Sequence, residues 1–224
     1  MILAAGRGER MRPLTDYTPK PLLKVGGKSL IVWHLERLAK AGFKDIVINY
    51  AYLGEQIKQS LGDGSQWGLK INYSPEEEAL ETAGGIANAL PILGNKAFLV
   101  VNGDIFAEID FGKLKQIKLE CNYAHLVLVN NPPHHPNGDF AIEDDRLKNL
   151  GEHMLTFSGV GIYHPDLFAT VKGGESAKLA PLLRVAIAEN KVTAEFYQGE
   201  WFDIGTPERL IALDLAIKTK LVRD

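Results

Sequence analysis

Short, uninterrupted apolar runs alternate with helix-patterned stretches through the first half of the chain. No other feature restricts the possible folds as much. Ile46-Val47-Ile48 and Phe98-Leu99-Val100-Val101 contain no polar alternation. A strand that is apolar at every residue has no face to give to water, so it belongs in a sheet covered on both sides. Between such runs, Ser29 is a natural N-cap for a helix over residues 30–41, where Leu30, Trp33, Leu35, Leu38 and Ala41 roughly keep helical spacing. Gly42 then stands where a helix end favours positive φ. Residues 2–4, 46–48, 71–73 and 98–101 are predicted strands, and residues 53–61 and 82–90 helices. The class that follows is α/β, built on a mostly parallel sheet.

The pattern changes after the strand predicted at 126–129. Pro132, Pro133 and Pro136 interrupt it, and residues 140–150 read as a polar hairpin around Glu143-Asp144-Asp145. A strand at 160–163, a helix at 179–189, a strand at 192–197 and a closing helix from Pro207 complete the chain, proline suiting a first helical turn. No internal repeat or linker divides the 224 residues, which suffice for one large α/β domain. A net charge of -3 provides no general field for nucleic acid. Cys121, the single cysteine, excludes a disulfide framework or a cysteine zinc site and reads as an ordinary half-buried thiol. No apolar run approaches a membrane span, and no signal-peptide pattern opens the chain, so a cytoplasmic protein with no membrane partner is expected. Met1 to Ala5 read as an internal strand that starts at once, suggesting a residue or two further upstream.

Chemistry is concentrated where strands end. Leu3, Ala4, Ala5 and Gly6 close the first strand, and Arg7, Gly8, Glu9, Arg10 and Arg12 follow. Small residues let backbone N–H groups approach a polyphosphate, while arginines neutralise it. Two commoner phosphate motifs fail. A dinucleotide fingerprint needs glycine or alanine at Met11, and Gly27-Lys28-Ser29 would need glycine at Leu22 to be a P-loop. Lys20 lies between Pro19 and Pro21, which confine its backbone. Asp104 ends the strand Val100-Val101-Asn102-Gly103, and Asp203 precedes Ile204-Gly205-Thr206-Pro207. Carboxylates at strand ends sit where open α/β sheets bind ligands, and two of them can share a hard cation with phosphate oxygens. His125, His134, His135 and His153 lack ligand spacing and read as solvated loop residues. Glu76-Glu77-Glu78 reads as a solvated acidic run.

LAAGRGERMRPLT followed by KPLLKVGGKSLI closely resembles the signature of the sugar-1-phosphate nucleotidyltransferases. The likeness spans nearly the whole chain. It implies a Rossmann-like, mostly parallel mixed sheet flanked by helices, with an inserted sugar-binding β-rich lobe. It also implies a division into a nucleotide-binding part over about 1–130, a sugar-binding part over about 131–206 and a closing helix over 207–224. By resemblance, Asp104 and Asp203 hold Mg²⁺, and Arg10 and Lys20 act on the triphosphate. Leu3, Ala4, Ala5, Gly6, Gly8 and Glu9 line the nucleotide, with Asn102 at the ribose and Thr82 and Gly84 approaching base and ribose. Gly138, Asp139, Glu152, Ser158 and Gly159 meet the sugar. The combination ERMRPLT, INYAYLG, YSPEEEALETAGGI, VNGDI and FSGVGIY is most similar to members that take UTP and N-acetylmuramic acid α-1-phosphate. Glucose- and mannose-1-phosphate enzymes using UTP, dTTP or GTP share every catalytic element. A non-catalytic regulatory relative would be expected to lose a metal aspartate or the loop arginine, and this chain keeps both. The oligomeric state is left open, a monomer included.

Overall fold

The computed structural model describes residues 1–221. In chain order the strands are β1 (Ile2–Leu3), β2 (Lys24–Val25), β3 (Lys28–Ser29), β4 (Asp45–Tyr50), β5 (Lys70–Pro75), β6 (Phe98–Asn102), β7 (Ile105–Ala107) and β8 (Ala124–Val129). They continue with β9 (Phe140–Glu143), β10 (Arg146–Lys148), β11 (Met154–Tyr163), β12 (Val192–Phe196) and β13 (Trp201–Asp203). The helices are α1 (Leu30–Lys40), α2 (Gly54–Leu61), α3 (Glu81–Leu93), α4 (Phe111–Leu114), α5 (Leu179–Ala188) and α6 (Pro207–Leu221). The closing helix was expected to reach 224, and positions 222–224 lie outside the described residues.

Nine strands form one sheet in the order β5-β4-β1-β6-β11-β8-β12-β10-β9. The first four are mutually parallel; β11 then runs antiparallel to both β6 and β8. The sheet is therefore mixed, with strands from both halves of the chain hydrogen-bonded into a single surface. Its faces are covered as the apolar runs require. Ile46, Ile48, Leu99 and Val101 enter the core beneath α1 and α2, whereas Val47 and Val100 enter the core shared with α3 and α5. Successive residues of one strand thus go to opposite cores. A third, smaller cluster joins Met11, Val25 and Leu30 to Phe106, Ile204 and Leu213, tying α6 to the rim of the domain.

Several local expectations change. Ser29 precedes α1 without a side-chain capping bond. The 140–150 hairpin is not polar, because Phe140, Ala141 and Leu147 are buried against the second core. The strand predicted to start at 160 starts at Met154, a register shift between Phe157 and Val160 carrying it past Ser158-Gly159. Cys121 is exposed rather than half-buried, standing in the turn before β8. His125 is buried on β8, where its Nδ1 lies 2.9 Å from Thr193 Oγ1. No helix among the described residues is long and apolar enough to cross a membrane.

Candidate active site

The carboxyl ends of β1, β4, β5 and β6 open on one cleft of about 470 Å³. All the residues expected at the nucleotide line it except Gly84. The loop after β1 makes a short 3-10 turn, Glu9–Met11, entered through Gly8 at φ 67°. A side chain at Gly8 would be strained, and its Cβ would press on Lys20 Cβ and Thr15 Cγ2, both at 3.2 Å. Thr15 Oγ1 donates to Gly8 O at 2.8 Å and so fixes the turn. Lys20 starts the next 3-10 turn, Lys20–Leu22, and is only 8% exposed. Its Nζ donates to Asp104 Oδ2 at 2.6 Å. Gly103, just before that aspartate, lets the two strands close up. Gly103 N donates to Leu3 O at 2.8 Å, and a Cβ there would lie 2.6 Å from the same oxygen.

Asp203 reaches the site through a ribbon separate from the main sheet. β13 pairs antiparallel with β7, with Asp203 opposite Ile105, and Ile204 N donates to Asp104 O at 2.8 Å. Residues 104 and 203 are thereby brought side by side from opposite ends of the chain. Gly205, two residues on, lines the cleft. The Asp203 carboxylate is engaged by Arg209 through Oδ1, and His134 Nε2 stands 3.2 Å from Oδ2. His134 Nε2 also lies 2.8 Å from Arg209 Nη1. The ring nitrogen thus stands between a guanidinium, which can only donate, and a carboxylate, which can only accept. Desolvation against its neighbours, followed by the charges of Arg209, His135 and Arg10, holds the His134 pKa below its ordinary value. His134 is exposed on its loop, as expected, and it also stands against Asp203 and Arg209. Arg10 itself is exposed on the loop, close enough that its charge acts on both His134 and Arg209.

Glu76 also departs from expectation. It is 7% exposed and lines the cleft, whereas Glu77 and Glu78 are exposed. Its Oε1 accepts from Asn49 Nδ2 at 2.7 Å and its Oε2 from Leu80 N at 2.9 Å. Asn49 Oδ1 in turn accepts from Ala4 N at 2.9 Å. This chain of bonds links β4 and β5 to the start of the loop after β1 and leads into α3. Gly85 provides the room, since its Cβ would lie 2.7 Å from Glu76 Oε1. Gly84 serves packing instead: a Cβ there would lie 2.3 Å from Glu175 O, and its N–H is taken by Ala177 O.

The residues expected at the sugar separate into groups. Gly159 (φ 83°) sits against Asn102, a Cβ there coming within 2.7 Å of Asn102 Nδ2. That contact ties the bulge of β11 to the end of β6. Ser158 is 0% exposed; its hydroxyl accepts from Val160 N at 3.1 Å within the bulge and does not face the cleft. Gly138 (φ 63°) turns the chain against Leu155 and Asn131. Asp139 Oδ2 accepts from Phe157 N at 2.8 Å, and its Oδ1 meets His135 Nε2 at 3.1 Å. Glu152 borders a second, open depression of about 690 Å³ with Asn131, Asn137 and His153.

The donor set suits one kind of metal. Asp104 and Asp203 offer hard oxygens, and no group of three or more histidine, cysteine or acidic side chains able to hold a metal occurs among the described residues. A cation that keeps waters and takes phosphate oxygens needs only one or two protein carboxylates, as Mg²⁺ does. Each aspartate is already matched by a cation, Lys20 or Arg209, which marks both as strong anionic positions.

Residues 1–220 match the family model described as nucleotidyl transferase. The chain belongs to that family. Among its relatives, the N-acetylmuramate alpha-1-phosphate uridylyltransferase of Neisseria meningitidis serogroup B is 57% identical over 94% of both chains. The enzyme of the same name from Caulobacter vibrioides is 33% identical over 96% of this chain and 94% of its own. Among solved structures, a Bacillus anthracis protein named as a glucose-1-phosphate thymidylyltransferase superposes with a TM-score of 0.85 at 20% identity, over 97% of this chain and 94% of its own. HddC from Yersinia pseudotuberculosis, complexed with GMP-PN, reaches 0.76 at 22% identity over 96% and 97%. At these identities the superpositions speak for the fold. The chain is a nucleotidyltransferase, and its family generally depends on a divalent metal.

Arg209, His134, Glu76 and Asn49 were not expected at the site. A signal for Arg209 was available: it is the third residue of α6, where a cation opposes the helix dipole and needs a reason to be there.

Proposed function

We propose that this nucleotidyltransferase condenses UTP with N-acetylmuramic acid α-1-phosphate, giving UDP-N-acetylmuramic acid and pyrophosphate with Mg²⁺ as cofactor. The observation that carries the reading is that the loop after β1, Lys20 and Asp104 line one cleft at the carboxyl ends of the sheet, with Asp203 held beside Asp104 by the β7–β13 ribbon. The choice of sugar and base draws on the 57% identity to the neisserial enzyme over 94% of each chain. Such a product would serve the recycling of cell-wall sugars.

A phosphate oxygen of the sugar 1-phosphate attacks the α-phosphorus of UTP, and the bond to the departing pyrophosphate breaks. The attacking oxygen is already ionised, so no general base is required. The difficulty is repulsion between two polyanions, which is severe where water is excluded. Lys20 and Arg10 offset charge on the triphosphate. Backbone N–H groups at Gly6, Gly8 and Glu9 cradle it, and Leu3, Ala4 and Ala5 leave space for the nucleoside. Asn102 binds at the ribose, and Thr82 approaches the base. A Mg²⁺ ion on Asp104 and Asp203 would supply positive charge to both reacting phosphates. Residues 1–130 then form the nucleotide side, and residues 131–206 the sugar side through Gly138, Asp139, Glu152 and Gly159.

Pyrophosphate release tests this reading with UTP, dTTP, GTP and CTP, each against muramyl, glucose and mannose 1-phosphates. UTP with the muramyl substrate should be fastest. EDTA should abolish that rate and excess Mg²⁺ restore it. Turnover of glucose 1-phosphate without any of the muramyl substrate would overturn the choice of sugar. Silence with every pair would overturn the activity.

A further inference from the structure

Arg209 occupies a position that helix electrostatics disfavours. α6 begins at Pro207, after Thr206, and its first-turn N–H groups present partial positive charge. A guanidinium there is stable only if anions face it, and in this structure the anion is Asp203. Gly205 is shaped for the contact: a Cβ at that position would lie 2.6 Å from Arg209 Nη2 and 3.0 Å from Cζ. Gly205 also lines the main cleft, so the guanidinium rests at the cleft's edge. The charge of Arg10 reaches it from the loop after β1, and that of Asp104 from the turn after β6.

Arg209 engages Asp203 through Oδ1, and a divalent cation taking Oδ2, the oxygen that faces His134, draws the carboxylate's charge away from the guanidinium. Once a cation takes Asp203, the guanidinium is left beside that cation, beside Arg10 and at a positive helix end. All three repel it, and together they form a point of converging positive charge that only a further anion satisfies. We propose that Arg209 is a substrate-binding residue that exchanges partners: it neutralises Asp203 in the empty site, and passes to the phosphate of the incoming sugar 1-phosphate when the divalent cation binds. This rests on the reaction proposed above. The same side chain therefore opposes premature metal binding and favours productive binding of the sugar.

The test uses the full-length chain carrying Arg209→Met and, separately, Arg209→Lys, each checked for an unchanged melting temperature. Mn²⁺ binding to the protein alone, followed by electron paramagnetic resonance, should be at least about threefold tighter in Arg209→Met, because a competing charge is gone. Arg209→Lys, which keeps the charge but loses the planar fork, should bind Mn²⁺ close to wild type. In pyrophosphate release, Arg209→Met should raise the KM for the muramyl substrate by about ten- to a hundredfold, the range expected on losing a hydrogen bond to a charged group. The KM for UTP should stay within about twofold of wild type, the charge being lost on the sugar side only. The inhibition constant of N-acetylglucosamine 1-phosphate, which has the phosphate but no lactyl carboxylate, should rise in parallel. Unchanged or weaker Mn²⁺ binding would overturn the exchange. Equal KM increases for both substrates, or none, would overturn the assignment to the sugar side. A loss confined to the muramyl substrate would move the contact to its carboxylate and overturn the phosphate assignment. Failure of the wild-type chain itself to release pyrophosphate would instead strike the proposed reaction, while the Mn²⁺ comparison would still judge the exchange.

Discussion

Replacing Lys20 with methionine removes a positive charge while keeping much of the stem. The Lys20 side chain is 9% exposed and that of Asp104 is 44% exposed, with 2.6 Å between Nζ and Oδ2. Lys20→Met therefore leaves a carboxylate that water can reach, and places an apolar side chain where an ammonium was buried. The net effect on stability should stay within about 1 kcal/mol, the usual range for a pair with one accessible partner. That corresponds to a melting shift of roughly 2–4 °C for a chain of this size. Catalysis should respond quite differently. An ammonium about 4 Å from a phosphate oxygen, at an effective dielectric near 20, is worth about 4 kcal/mol. If most of that is felt as charge develops on pyrophosphate, kcat/KM falls by about a hundred- to a thousandfold. Lys20→Arg should rescue little, because a wide planar guanidinium would have to replace a compact ammonium that is 9% exposed and held 2.6 Å from Asp104 Oδ2. The assay is pyrophosphate release at saturating Mg²⁺, paired with a thermal melt of each variant. Retention of more than a tenth of wild-type kcat/KM by Lys20→Met would refute the electrostatic role.

Gly103→Ala should destabilise the fold by about 1–3 kcal/mol in chemical denaturation, because its Cβ would meet Leu3 O at 2.6 Å and force β1 from β6. The same displacement moves Asp104, so activity should fall with stability, and a loss below about 0.5 kcal/mol would show that the strands yield freely. The buried His34 imidazole is pushed down to about 4, mainly by burial and then by the Arg37 charge. The unfolded chain thus binds a proton that the folded chain refuses between about pH 6.5 and 4, so this contribution is complete at neutral pH and is lost on acidification through that window. His34→Leu should flatten the acid limb of the stability profile by up to about 1.4 kcal/mol per pH unit, and an unchanged limb would assign it to other groups.

The main landmarks of the site could be read from the chain because they are local. Asp104 follows an apolar strand, Lys20 stands between prolines, and the loop after β1 combines glycine with arginine within ten residues. Where three glutamates stand in a row, the letters do not distinguish them. Glu76 is selected because it directly follows β5, where Asn49 on the neighbouring strand can donate to it. Gly84 and Gly85 look equivalent, yet their helical positions turn one toward residues 175–177 and the other toward Glu76. The strand expected over 160–163 runs from Met154, because a bulge disturbs the alternation near Ser158 and Gly159 and pairing with β8 on both sides of it keeps β11 a single strand.

The amino-acid order alone determined the class of sheet, its two covered faces and the glycine- and arginine-rich character of the loop after β1. Each of these depends on residues within a few positions of one another, through backbone geometry and burial. Tertiary structure decided which charges meet. Asp203 comes beside Asp104 through the β7–β13 ribbon, across 99 positions of chain, and Arg209 and His134 reach it from a helix start and a proline-rich loop. Electrostatic partnership depends on distance in space, and that distance is set only when the whole sheet has closed.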